Sequence, residues 1–120
     1  MTITKMCVLS AALLFCAIAG CSDSGVSDSK KLTALTTAES KDVCLELAGD
    51  YPERTVMCGT TAITVGLTAA ECNVDDPATA TCTATVGDAR DCVDALYSQT
   101  DAQLCADTPP PAACAKLQGC

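Results

Sequence analysis

The sequence predicts a small, disulfide-rich and mainly α domain of three to four short helices, with short strands near 55–65 and 79–86. Three observations carry that expectation. Eleven cysteines in 120 residues is the density of a disulfide scaffold and not of a cytosolic enzyme. The aromatic side chains are Phe15, Tyr51 and Tyr97 alone, and beyond residue 20 Ala and Thr outnumber the large aliphatic residues. Such side chains bury little apolar area, so a domain of this size needs covalent support. Finally, apolar residues recur at helical spacing just behind Ser/Thr-x-x-Glu patterns that open helices.

The N-terminal stretch is expected to be a leader. Met1 to Lys5 is short and carries one Lys, Met6 to Ala19 is an apolar run, and Gly20 and Cys21 follow. A positive flank, a short apolar core and small residues at the end form a secretory signal peptide. The run falls short of the ~20 apolar residues that span a bilayer. Two processing sites compete within it. Ala17-Ile18-Ala19 has the A-x-A form of an ordinary signal peptidase site. Ile18-Ala19-Gly20-Cys21, an aliphatic residue, two small ones and a Cys, resembles the lipobox of bacterial lipoproteins, with Ile where Leu is commoner. That resemblance implies cleavage between Gly20 and Cys21, a diacylglycerol thioether on Cys21 and acylation, with palmitate or a similar chain, of the new amino group. Two or more chains give stable anchoring where one does not. Ser22, directly behind the lipidated position, implies the outer membrane by the same resemblance.

Parity supports lipidation independently. Cys7 and Cys16 leave with the leader. Cleavage after Ala19 keeps nine cysteines, an odd number, whereas a lipidated Cys21 leaves eight that can pair completely: Cys44, Cys58, Cys72, Cys82, Cys92, Cys105, Cys114 and Cys120. Eight cysteines allow 105 pairings, and their spacing does not select one. Residues 22–31, "SDSGVSDSKK", have no apolar periodicity and are expected to be a disordered tether spanning ~16–19 Å. The organisation is therefore a signal peptide over 1–20, a lipidated Cys and flexible tether over 21–31, and a stapled domain over 32–120.

Within the domain, Thr36-Thr37-Ala38-Glu39 is a capping box, and Val43, Cys44, Leu47 and Ala48 recur on one face. A helix over Thr37 to Ala48 follows, with Gly49 as its C-cap and Pro52 forbidding continuation. Thr55 to Val65 is rich in Thr, Val and Ile and is interrupted by Gly59, which fits two short strands or an extended loop. Thr68 to Glu71 is a second capping box, ahead of a short helix that Asp75-Asp76-Pro77 ends. Thr79 to Val86 reads as extended. Asp88 is the expected N-cap of a third helix, with Ala89, Cys92, Val93 and Leu96 as its stripe. One further turn is expected at Ala102 to Ala106, a stiff spacer at Pro109-Pro110-Pro111 and a short helix over Ala112 to Cys120. "ESKDVCLEL" and "DARDCVDAL" echo each other, as two amphipathic acidic helices do without duplication. The regularly spaced cysteines and the ending "ACAKLQGC" resemble small cysteine-rich lipoproteins of environmental Gram-negative bacteria, a likeness that implies location rather than mechanism.

The chemistry the residues exclude is broad. A formal charge of −8, from 15 acidic and 7 basic residues, repels phosphate backbones, so no nucleic acid partner is expected. No histidine is present to serve as a base or ligand. No C-x-x-C pair exists, which argues against structural zinc and thioredoxin-like redox chemistry and leaves thiolate metal scavenging a minor reading. Asn73-Val74-Asp75-Asp76 lacks the glycine and closing Glu of a calcium loop. Ser40 and Lys41, as helix neighbours, point apart, and Asp91 with Asp94 read as a solvated face. No enzyme and no cofactor are expected. The expected partner is the membrane, through Cys21, and the expected role is binding or structural at the cell envelope. The alternative is a secreted effector or hydrolase inhibitor presenting Thr60–Thr68 or the "TPPP" segment as a rigid loop.

Overall fold

Thr36 caps the first long helix in the computed structural model, which describes residues 23–73, 78 and 80–120. The expected leader, the expected processing site at Gly20–Cys21 and most of the Asn73–Asp76 stretch lie outside the described residues. Helix α1 spans Thr37–Asp50. Thr36 Oγ1 accepts from the Glu39 N–H at 3.2 Å, and the Glu39 carboxylate accepts from the Thr36 N–H at 2.9 Å. Gly49 lies inside the helix instead of capping it. The stop is set by Pro52, which bars the α region to the residue before it; Tyr51 accordingly leaves the helix at φ −127°, ψ 66°.

Strands β1 (Arg54–Cys58) and β2 (Thr61–Val65) form an antiparallel hairpin, so the first expected strand region is two strands and not a loop. Val56 faces Ile63 and Arg54 faces Val65. Gly59 and Thr60 make the turn; Gly59 has φ +66° and Thr60 does not have a positive φ, the arrangement of turns that need glycine first. Two residues past β2, Leu67 bonds back to the Tyr51 carbonyl at 3.0 Å. That return forces Gly66 to φ +101° with no room beside it: a Cβ there would meet the Pro52 and Tyr51 carbonyl oxygens at 2.6 and 2.7 Å. Gly66→Ala is expected to destabilise the fold by about 2 kcal/mol or more, while Gly59→Ala, with open space around it, costs about 1 kcal/mol. Urea midpoints at unchanged m-value would measure both, and equal costs would contradict the close approach at Gly66.

The second capping box opens only a 3-10 turn, Ala69–Cys72, in which the Glu71 carboxylate accepts from the Thr68 N–H at 2.7 Å. The extended stretch expected near 79–86 does not become a strand. Residues 80–85 contain only one isolated bridge, between Thr85 and Lys31. Helix α2 starts earlier than expected, at Val86, and runs to Tyr97; its N-cap is Thr85, and Asp88 is the acid three places on. The physical reason is Val86, which is fully buried and is carried into the core by the first helical turn. Helix α3 (Asp101–Leu104) is capped by Thr100, and a final 3-10 turn spans Ala112–Leu117. The fold is thus mixed: short helices and a two-stranded sheet around a small core, with helix only roughly dominant.

All eight body cysteines pair, as Cys44–Cys72, Cys58–Cys105, Cys82–Cys120 and Cys92–Cys114. Cys44–Cys72 ties α1 to the 3-10 turn after the hairpin, and Cys92–Cys114 ties α2 to the last turn. Cys58–Cys105 interleaves in sequence with each of the other three bridges, so the chain from 44 to 120 is one interlocked network. The aliphatic core is small: Val43, Leu47 and Val86, with Val26, Leu32, Leu35, Tyr51, Leu67 and Val93 packed around it. Cys72, Cys82, Cys92 and Cys114 are buried as well, so the sulfurs fill the interior besides linking it.

Residues 23–31 differ most from expectation. They are an ordered arm and not a slack tether. Leu32 N–H donates to the Ala84 carbonyl, Val86 N–H to the Lys30 carbonyl and Gly87 N–H to the Asp28 carbonyl, all at 2.9–3.0 Å. The polar composition that reads as disorder is here matched by fixed polar partners on α1 and α2.

Candidate functional site

The hairpin and α2 do not close completely on each other. Between them lies a cleft of about 390 Å³, with Ile63, Val65 and Leu67 on one wall and Val93, Leu96, Tyr97 and Leu104 on the other. Every one of these residues is half-buried, and no carboxylate, amine or guanidinium lines the space. Its position follows from local rules. Alternation along β2 turns Ile63 and Val65 to the same side, and helical spacing puts Val93, Leu96 and Tyr97 on one stripe of α2. Walls that are mostly apolar, with Thr64 and Tyr97 contributing the side-chain hydroxyls of the lining, suit an aliphatic or aromatic group.

A polar cluster braces this cleft. Tyr51 and Tyr97 meet edge to face, centroids 5.3 Å apart, and Tyr51 Oη donates to Asp94 Oδ1 at 3.0 Å. Burial, together with the Asp94 carboxylate, pushes the Tyr51 phenol up to about 12. Arg54 lies over the Tyr97 ring at 5.4 Å, donates to Asp101 at 2.9 Å and to the Gln99 carbonyl at 3.1 Å, and so fastens the hairpin to the α2–α3 junction. The hairpin wall and the helical wall are thereby held in a set relation to each other.

The second constellation sits where α1, α2 and the arm converge. Arg90 donates to Glu46 through Nε at 2.9 Å and through Nη2 at 2.7 Å, a two-pronged pair. Its remaining hydrogens go to the Ser24 hydroxyl at 3.1 Å, the Val26 carbonyl at 3.1 Å and the Asp28 carboxylate. All five donors of the guanidinium are used. Glu46, 9% exposed, also accepts from the Ser24 N–H at 2.9 Å. Burial acts to raise its carboxyl, but the hydrogen bonds from Arg90 and Ser24 outweigh that and hold it below its ordinary value.

The other shifted carboxylates sit at caps. A hydrogen bond from Lys30, then one from the Thr36 backbone, lowers Glu39 to about 2. Lys116 and the Thr85 backbone lower Asp88, and the Thr68 backbone lowers Glu71. A depressed carboxylate contributes stability that is present above its unfolded value and lost as pH falls through its folded value. The melting temperature is therefore expected to be flat from neutrality to about pH 5, then to fall between the ordinary carboxyl value of 4.5 and about 2. Circular dichroism melts at stepped pH measure this. A melting temperature that rises on acidification would contradict it.

Of the residues the sequence singles out, the eight body cysteines come together in pairs. Asp91 and Asp94 are exposed outside the cleft, with Asp94 bonded to Tyr51. Residues Thr60–Thr68, offered as a presented loop, contain β2, while Thr108–Pro110 remain exposed and outside regular structure. Missed at sequence level were the cleft and Arg90. The available signal was Glu46 beside Leu47 on the apolar side of α1 and the presence of only two arginines, Arg54 and Arg90, each of which cross-links separate elements. Among the described residues, no three His, Cys, Asp or Glu side chains converge to hold a metal, and no helix is long and apolar enough to cross a membrane.

Comparison of the chain with protein families, with characterised proteins and with solved structures returns no match.

Proposed function

We propose that this chain is exported, cleaved between Gly20 and Cys21, held on a bacterial envelope membrane by lipid on Cys21, and acts there as a binding or structural module through the apolar cleft. The observation that supports it is the closure of the eight cysteines from 44 to 120 into four bridges, which leaves Cys21 outside the disulfide network. Four bridges suit an oxidising compartment, and a sulfur left over there serves best as a nucleophile for a lipid. The cleft accepts an apolar side chain or chain end of a partner, and the chain's net charge of −8 favours a partner that carries positive charge.

Intact-mass measurement of the natively exported protein, with and without reduction, tests the reading. The expected form starts at a diacylglyceryl-modified Cys21, gains two hydrogens per bridge on reduction and fails to mature when lipoprotein signal peptidase is blocked by globomycin. A chain starting at Gly20 that matures normally under globomycin overturns it in favour of a secreted effector or inhibitor, for which the exposed Thr108–Pro110 segment is the presented element.

A further inference from the structure

We infer that the anchored domain rests directly on the lipid headgroups, with the outer side of α1 around Asp42 turned to the membrane, and does not swing on a free tether. The inference rests on the lipidation reading above and adds a contact surface to it. A disordered tether of ten residues would lift the domain ~16–19 Å. The arm leaves no such slack. Ser24 is fixed twice, by its N–H to Glu46 at 2.9 Å and by Arg90 to its hydroxyl at 3.1 Å. The arm is fixed again at Val26 and Asp28. From Ser24 to Cys21 is three residues, which reach no further than ~11 Å fully extended. The lipid-bearing sulfur is therefore confined to a short radius around Ser24, and the surface inside that radius is an open recess bordered by Asp23, Asp42 and Leu45. Asp23 and Asp42 are exposed acids that anionic headgroups repel, so covalent reach and not charge enforces the contact. The cleft lies outside this zone. Tyr97 on its wall is seven residues beyond Arg90 on α2, a rise of ~10 Å toward the other end of that helix.

The chain contains no tryptophan, so a single introduced indole reports one position. The variants are Asp42→Trp and Met57→Trp; both sites are exposed, and the Met57 carbonyl lies against the sulfur of Cys105, which follows α2 and α3 in the chain and is set apart from the arm and Asp42 in sequence. Natively lipidated protein is placed in phosphatidylcholine vesicles carrying a headgroup nitroxide. Fluorescence of the Asp42→Trp variant is expected to be quenched about twofold more than that of the Met57→Trp variant, and ten Gly/Ser residues inserted between Ser22 and Asp23 are expected to abolish the difference. Equal quenching of the two variants without the insertion overturns the inference. Intact mass reports acylation separately. Where Cys21 carries no lipid, the anchoring reading fails, and Cys21 is coupled to a maleimide phospholipid so that the same pair of variants decides the arm's geometry.

Discussion

Replacing Cys58 and Cys105 together by Ser is expected to destabilise the domain by about 4 kcal/mol, the largest cost of removing any bridge on loop closure alone. The reason is the length and placement of the loop it closes. Its ends are 47 residues apart, against 38, 28 and 22 for the others. It also interleaves with all three, so none provides a substantially shorter route between its ends. Cys82–Cys120 differs: with Cys92–Cys114 nested inside it, only about ten residues on one side and about six on the other are left to close, which lowers its contribution to about 3 kcal/mol. Both halves of Cys92–Cys114 are buried, so its removal also opens a void and costs more than its short loop suggests. Differential scanning calorimetry of the three double variants measures the order. For Cys58/Cys105 the melting temperature is expected to drop by roughly 20 °C, and a drop smaller than that for Cys82/Cys120 would contradict the interleaving argument. Without this bridge the hairpin retains Arg54 as its main tie to α2 and α3, and Arg54–Asp101 is a largely exposed pair worth little by itself.

Arg90→Met is expected to destabilise the domain by about 3 kcal/mol and to free residues 23–31. The substitution keeps much of the side chain's apolar volume but removes five hydrogen bonds at once. It leaves Glu46, whose side chain is 11% exposed, without a counter-charge. An uncompensated carboxylate at that depth is the dominant cost, because desolvation is no longer offset by the pair. The double variant Glu46→Gln with Arg90→Met is therefore expected to recover about half of the loss. Arg90→Lys recovers little, since an ammonium cannot form the two-pronged pair and reach the arm at once. Urea unfolding gives the energies, and amide exchange at Val86 and Gly87, whose N–H groups bond to the arm, reports its release. An Arg90→Met protein that keeps those amides protected would show that the arm is held by Val26 and Leu32 packing and not by the guanidinium.

Legibility from sequence followed the range of the interaction. The capping boxes at Thr36 and Thr68 were readable because both partners lie within three residues, so no distant contact can undo them. Gly59 was readable as an interruption for the same reason, whereas the choice between two strands and an extended loop stayed open until Val56 and Ile63 were seen paired. Asp88 was placed in the right turn but the wrong role. Its side chain bonds back to Thr85, and the choice between the two caps depended on whether Val86 was inside or outside the core. The arm misled more deeply. Ser, Asp and Gly in series carry no apolar signal, and their order here comes from Glu46 and Arg90, which are 22 and 66 residues from Ser24. The cleft had no local signal at all, since its two walls belong to separate elements that only the tertiary structure places face to face.

The number of sulfurs and the poverty of large side chains already called for a stapled domain, because those quantities do not depend on conformation. Which cysteine met which, whether a polar segment was loose or docked, and where an apolar surface stayed open could emerge only when α1, the hairpin and α2 were packed together. Each of those outcomes is a balance of burial, charge pairing and chain reach between residues far apart in the chain, and such balances exist only in three dimensions.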